Sequence, residues 1–359
     1  MMEGILEYLY NPLVLSILVN MAVFLIVTLS LNLETGFAGI PQFGRVLAVI
    51  AGAIGAGAIA GRMMAAMMGL PAGIEYVGDQ NFVIVGELNK ALESNPLLSI
   101  GALILSLAVA AVMGGIMGYL ASYPAIRLKE AYLGITLLAF GDALQIVGMY
   151  YDPLAGGTAG IVVPDVFRFV GTGEIRFLSS TLIILGIAIL VYLYVQSLAR
   201  SPFGRALKAM RDNELAAKVY GKDIVNLRAK TLIIGGALAG MGGALWTLYT
   251  GSFKALTYNR LTWTFWPWAF MMLGGTGNNL GIVLGTLVFS TVRSLIYAYK
   301  TELTAFIPIN PNWLEYLLIG VIIIAIALFR PQGILPEKPE LPLSRKKIES
   351  IRASLAKGD

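Results

Sequence analysis

The sequence predicts an all-α integral membrane protein, a bundle of about eight or nine transmembrane helices. Three observations carry that prediction. Of 359 residues, 57% are hydrophobic and only 13% are charged, against about 25% charged in an ordinary soluble domain. Mean hydropathy is +0.76, and several apolar runs approach or exceed the roughly 18–20 residues that cover a hydrocarbon core at about 1.5 Å per residue. No strand-like alternation flanked by aromatic girdles is present, so an outer-membrane barrel is not supported.

The crossings fall at 12–31, 40–60, 97–121, 131–149, 180–198, 231–250, 260–274, 278–297 and 312–330. The first run lacks a basic leader and a small-residue cleavage site, so it reads as a retained helix and not a signal peptide. The second and sixth contain GAIGAGAIAG (52–61) and GGALAGMGGA (235–244), with small side chains at spacings of three and four. In lipid such faces let helix backbones approach closely; packing is their plain role, and helices sliding on one another the alternative. The seventh run is short for a full span and reads as re-entrant or broken. Residues 1–335 form the membrane domain, and the polar, Pro-rich, then basic tail 336–359 is expected to be loosely ordered.

Two absences narrow the chemistry. The chain has no Cys and no His, which removes thiolate nucleophiles, Cys–zinc and iron–sulfur sites, Ser–His triads, HExxH metalloproteases and His proton relays. An intramembrane enzyme would be left with carboxylates alone. The net charge of +5 suits the cytoplasmic bias of Lys and Arg in a membrane protein better than a nucleic-acid partner, and none is expected. Seventeen of the 26 Lys and Arg lie in 122–130, 199–230 and the tail from 330, against seven in the alternate loops. That asymmetry predicts an external N-terminus and a cytoplasmic C-terminus in a plasma or inner membrane.

The loop 199–230 holds eight of those cations between two nearly uncharged runs. Ser201-Pro202 is a helix-start signature: a hydroxyl that caps free amides, then a proline where its missing N–H costs nothing. Phe203, Leu207, Met210 and Ala217 tend to one side of a helix, with Arg205, Lys208, Arg211, Lys218 and Lys222 on or near the other. Gly221 should end it. A short amphipathic helix at the membrane surface results. It could rest on lipid headgroups or dock a cytoplasmic partner; roughly thirty residues are too few for an inserted domain.

Here the residues resemble a family. Glu214-Leu215-Ala216-Ala217 followed by Gly221 looks like the "EAA…G" cytoplasmic loop of ATP-binding-cassette (ABC) importer permeases. The surrounding SPFGRALKAMRDNELAAKVYGKDI is similar to that of the branched-chain amino acid permeases of the LivM type. LNLETGFAGIPQFG (31–44), YPAIRLKEAYLGITLLAFGDALQIV (123–147), GGTAGI (156–161), MLGGTGNNLGIVLG (272–285) and RPQGIL (330–335) resemble further segments in the family's order. Where that family often carries a His soon after the position of Gly44, this chain has Arg45. The resemblance implies a permease subunit that imports branched-chain or other hydrophobic amino acids, with urea or short-chain amides as the alternative cargo. It also implies a second homologous permease, two cytoplasmic ATPases of the LivG/LivF kind and an external solute-binding protein. The loop would then be a coupling helix, with Ala216, Ala217 and Gly221 as its small contact face and Arg205, Arg211 and Glu214 as its polar contacts. No GxxxxGK[ST] phosphate loop is present, so ATP and Mg²⁺ are expected on the partner ATPases and no cofactor on this chain.

Ionisable residues within the spans need partners or an aqueous cavity. Asp142, with Gln145 nearly one turn on, is the clearest; Arg45 enters the second span and Glu34 ends the first. An ion pair of Asp142 with a basic residue such as Arg45 is the plain expectation. The sharper one is a translocation pathway built from Glu34, Gln42, Arg45, Asp142 and Gln145, where an amino acid zwitterion could meet charges or the unwound backbone of GIPQFG at 39–44. A carrier working alone, with Asp142 titrating, is the competing transport reading. Arg293 is expected to snorkel outward, and Tyr123, Trp263, Trp266, Trp268 and Trp313 to anchor the interfaces.

Overall fold

The computed structural model describes residues 11–128, 130–299, 302 and 311–337; the predicted tail from 338 onward lies outside them. All nine predicted crossings fall on helices. In chain order these are α1 (Pro12–Phe37) and α2 (Arg45–Met67), then α3 (Asn81–Ser94), α4 (Pro96–Arg127), α5 (Glu130–Tyr150) and α6 (Glu174–Arg200). The charged loop folds as α7 (Pro202–Asp212) and α8 (Glu214–Val219). The remainder are α9 (Ile224–Thr250), α10 (Trp266–Gly274), α11 (Asn279–Ala298) and α12 (Pro311–Phe329). Seven of the described helices, α1, α2, α4, α5, α6, α9 and α11, are long and apolar enough to cross a membrane.

Asn-Pro pairs start α1 and α4. Asn11 Oδ1 accepts from Leu13 N at 2.9 Å, and Asn95 Oδ1 accepts from Leu97 and Leu98 N at 3.1 and 3.2 Å. Each caps amides that have no carbonyl within the helix, and the proline after it gives up no bond.

α9 runs through the middle, packed on α4 and α2, while α1 packs on α11, α6 and α9. The small-residue stretches make these contacts backbone to backbone. A Cβ on Gly52 would lie 2.1 Å from Gly240 O, and one on Gly114 would lie 2.3 Å from Gly236 O. The stretches predicted to permit close approach therefore do so, and any larger side chain would force α9 off its neighbours.

One end of the bundle, the basic end, gathers the α1–α2 junction, α7 and α8, the α10–α11 turn and residues 331–337. Arg211 touches Gly39 and Gly36 O there, and Glu337 sits beside Gly277. The opposite end holds α3 and a two-residue antiparallel ribbon, β1 (Ile161–Val162) with β2 (Ser252–Phe253). The helix α3 was not foreseen, since 61–96 reads as a loop. Apolar and polar residues alternate in it without a long apolar run, and Ile84, Val85, Leu88 and Leu92 bury a stripe against the bundle.

The seventh crossing is broken, as its length suggested. A π-wound turn at Leu261–Phe265 and α10 together cover only 261–274, about 20 Å at about 1.5 Å per residue. The preceding segment 251–260 descends from the opposite end beside α9, with Tyr258 Oη 2.5 Å from Thr247 Oγ1. At the far end Gly275 lies against Leu335 O, so the chain still passes from one end of the bundle to the other.

Three aromatic expectations are corrected. Trp263 and Trp266 are fully buried; Trp263 stacks between Phe24 and Tyr258 at centroid distances of 5.1 and 5.4 Å. Trp268 is half-buried and stacks on Phe43 at 4.7 Å. The cause is the broken span: its start sits beneath the end of the bundle, so tryptophans near a span end in sequence lie deep in the core. Tyr123 and Trp313 are exposed as expected. Arg293 does not snorkel outward; its guanidinium lies over Phe24, Trp266 and Tyr297, at 5.4, 5.0 and 5.7 Å from their ring centres, where the ring faces offer an attractive field.

Candidate functional site

The predicted site residues fall in three places: the surface pair α7–α8, a sealed ion pair between α1 and α2, and an open ion pair between α5 and the 251–260 segment.

Ser201 caps α7, its Oγ accepting from Gly204 N at 3.4 Å with Pro202 in the first turn. The loop was expected to form one helix and forms two. Asn213 takes extended backbone (φ −159°, ψ 102°), and its Oδ1 accepts from Ala216 N at 2.9 Å, ending one helix and capping the next. An asparagine that can cap competes with helix continuation in this way. Gly221, at φ +75°, closes the stretch in a conformation other residues rarely take.

The six residues predicted to make outward contacts divide. Arg205, Glu214, Ala216 and Gly221 are exposed, whereas Ala217 is buried against Leu207, Met210 and Ile224. Arg211 turns inward. Its Nη1 donates to Gly36 O at 2.5 Å and to Glu337 Oε2 at 2.7 Å, while Lys208 Nζ lies 3.4 Å from the other oxygen of Glu337. Burial opposes the charge on Arg211, and its bonds to Glu337 and then Asp212 outweigh burial, so the guanidinium's pKa is raised. Glu214 pairs with Arg228 at 2.7 Å, and Arg228 also donates to Ala125 O at 3.2 Å. What sequence reading missed is the apolar character of the outer surface: Leu215, Val219 and Tyr220 are 74%, 79% and 84% exposed. Their signal was the i, i+4 spacing of Leu215 and Val219, with Tyr220 beside them. A cavity of about 730 Å³ opens beneath, lined by Gly39, Ile40, Arg127, Tyr132, Arg211 and Glu214 among others.

Glu34 and Arg45 are closed off from solvent, at 0% and 1% exposure, with 2.9 Å between Glu34 Oε2 and Arg45 Nη1. Glu34 sits in the π-wound end of α1 (Asn32–Phe37), and Arg45 opens α2. The contact has the distance of an ion pair without the alignment of a hydrogen bond. Gln42 is also buried; its Oε1 accepts from Gly44 N at 3.0 Å, and its carbonyl accepts from Trp268 Nε1 at 3.0 Å. Val46 N donates to Thr264 Oγ1 at 3.0 Å, so the broken span caps the second helix. The α1–α2 break thus meets the broken span, whose Thr264 and Trp268 side chains satisfy backbone groups of Val46 and Gln42, as non-helical chain at membrane depth requires.

Arg45 being taken by Glu34, Asp142 pairs elsewhere, and the expected Asp142–Arg45 bridge is corrected. Asp142 Oδ2 accepts from Arg260 Nη1 at 3.0 Å, with the two side chains 35% and 55% exposed. Gln145 Nε2 donates to Ala255 and Leu256 carbonyls at 3.3 and 3.4 Å, which holds the segment carrying Arg260 against α5. Of the predicted pathway residues, then, Glu34, Gln42 and Arg45 share one sealed cluster, while Asp142 and Gln145 share an open face. Arg260 was not foreseen as a partner, because it is the first residue of the predicted seventh crossing and reads there as an interfacial charge.

Comparison with known proteins adds a family. The model of the family described as branched-chain amino acid transport system / permease component matches residues 13–327. The "Probable branched-chain amino acid transport permease protein LivM" of Methanocaldococcus jannaschii is 41% identical over 93% of this chain and 97% of its own. The "High-affinity branched-chain amino acid transport system permease protein LivM" of Escherichia coli is 26% identical over 66% of this chain and 58% of its own. The "Probable branched-chain amino acid transport permease protein LivH" of M. jannaschii is 31% identical over 64% of this chain and 73% of its own. No solved structure matches the chain significantly.

Proposed function

Since this chain belongs to the family of branched-chain amino acid permease components, we propose that it is the LivM-like half of an ABC importer for branched-chain or other hydrophobic amino acids. A homologous LivH-like permease completes the pathway, an external binding protein delivers the substrate, and two ATPase subunits supply ATP hydrolysis from the cytoplasm. The basic end is the cytoplasmic one, in keeping with the bias of Lys and Arg.

One observation supports this reading above the rest. α7 and α8 present Leu215, Val219 and Tyr220 to the outside while Arg211, on the inner side, is bonded to the end of α1. A patch of exposed apolar and aromatic side chains on a charged surface loop suits a protein partner better than headgroups. Its inward anchor gives a rigid route by which a push on the patch reaches the α1–α2 break. Arg205, Glu214, Ala216 and Gly221 border the patch, Ala217 seats it, and Arg211 transmits from it. Glu34, Gln42 and Arg45 hold the break in shape beside the pathway, and Asp142 and Gln145 face it.

The test is copurification and transport. Val219→Asp or Glu214→Lys should lose the ATPases from the purified complex and abolish ATP-driven leucine uptake into proteoliposomes. Retention of both assembly and uptake would refute the coupling role. Uptake that follows a proton gradient and survives ATP depletion would instead identify a carrier working alone.

A further inference from the structure

Asp142 is the thirteenth residue of a 21-residue helix, roughly 18 Å along it at about 1.5 Å per residue, and so lies well within the hydrocarbon depth. A single charge at the bilayer centre costs about 2.5–3.5 kcal/mol on insertion scales. Asp142 and Arg260 are two charges with a third and a half of their surfaces uncovered, so this face of α5 does not meet acyl chains. It is also turned away from the chain's own core. The opposite side of α5 packs on the α1–α2 junction, with Gly141 against Val46 and Gly134 against Phe43. On the open side, Ile135, Ile146 and Leu256 flank the ion pair, 66%, 55% and 66% exposed. The 730 Å³ cavity at the basic end shares Tyr132 with this same helix, so the face runs from the ion pair down to that cavity.

We propose that Asp142 and Arg260 are the substrate-recognition pair of the pathway, taking an α-amino acid as its zwitterion: the ammonium on Asp142, the carboxylate on Arg260, and an aliphatic side chain along Ile135, Ile146 and Leu256. The proposal deepens the importer reading and rests on it. Its physical basis is charge balance. Empty, the two groups neutralise each other at 3.0 Å; occupied, one ion pair is exchanged for two, and no net charge is buried at either stage. A lone cation or anion would engage one group and leave the other without a charged partner, so the pair favours a ligand that carries both charges. The guanidinium offers a carboxylate two parallel donors, which lysine does not. Gln145, by holding Ala255 and Leu256, is a positioning residue for Arg260.

The chain has no cysteine, so Ala139→Cys, on the exposed face one turn before Asp142, gives it a single thiol. In the assembled importer this thiol should react with a charged, water-soluble methanethiosulfonate, and leucine should slow the reaction. Arg260→Gln should raise the leucine concentration for half-protection about tenfold or more, the loss of roughly 1.4 kcal/mol of ionic contact. Arg260→Lys should recover part of that loss; if Arg260→Gln does not assemble, Asp142→Asn carries the same test. If the wild-type complex imports leucine under ATP, yet the thiol is inert in every nucleotide state or Arg260→Gln leaves half-protection unchanged, this site is wrong and the importer reading stands. If the wild-type complex imports no leucine, both fall.

Discussion

Glu34–Arg45 and Asp142–Arg260 are the same chemistry in two settings. Both join a carboxylate to a guanidinium at about 3 Å, both involve a membrane-depth helix, and both abut an interruption in the bundle. One is sealed, with its neighbours Gln42, Val46 and Thr264 occupied in capping the breaks; the other lies half open on a face the chain itself does not cover. A sealed pair that loses one member leaves an uncompensated charge with no water to reach it. An open pair has lost little solvent and can exchange partners at small cost. The difference teaches that an intramembrane charge is not functional by virtue of its depth alone: exposure decides whether it braces the fold or meets a ligand.

Four changes break or sharpen that contrast, in falling order of effect on the folded protein. Arg45→Ala strands Glu34 and should destabilise the chain by about 3–5 kcal/mol, seen as loss of monodisperse protein in detergent. Replacing Glu34 and Arg45 together by Leu and Met should recover most of that loss. Next, Gly235→Ala sets a Cβ 2.0 Å from Glu34 Oε1; overpacking of this kind costs about 1–3 kcal/mol, read as a lower melting temperature. Third, Glu337→Gln removes the charge that joins Arg211 and Lys208. Because that pair is only partly covered, the stability change should stay near 1 kcal/mol, while stimulation of the ATPases by loaded binding protein falls as the surface helices loosen from α1. Last, Asp142→Asn should shift the melting temperature by less than any of these and cut leucine uptake more than Glu337→Gln does.

Much of the fold was legible. Apolar runs located the seven described helices long and apolar enough to cross a membrane, Ser-Pro marked the start of α7, and small residues at three and four marked the contacts of α9. What composition could not show was three-dimensional pairing. Arg45 is eleven residues from Glu34 and 97 from Asp142, yet a π-wound turn and a seven-residue break fold it back on the former. Arg260 stands at the start of the seventh run, and its depth is set by the preceding segment with β2 and Tyr258, which leaves no hydropathy signal. The inward turn of Arg211 was hidden for a similar reason: its partner Glu337 lies 126 residues away, in a segment that reads as tail. Residues 331–337 are in fact fastened to the bundle, with Ile334 and Leu335 amides donating to Leu273 and Gly274 carbonyls at 2.8 and 3.0 Å.

The most direct trial sets Arg45→Gln beside Arg260→Gln in the same assembled importer, following thermal unfolding and ATP-driven leucine uptake for each. Sealed and open roles predict that Arg45→Gln fails to hold a folded complex, whereas Arg260→Gln unfolds within a degree or two of wild type and loses about tenfold or more of its uptake at limiting leucine. Wild-type uptake by Arg260→Gln, or a stable and active Arg45→Gln, would contradict that division.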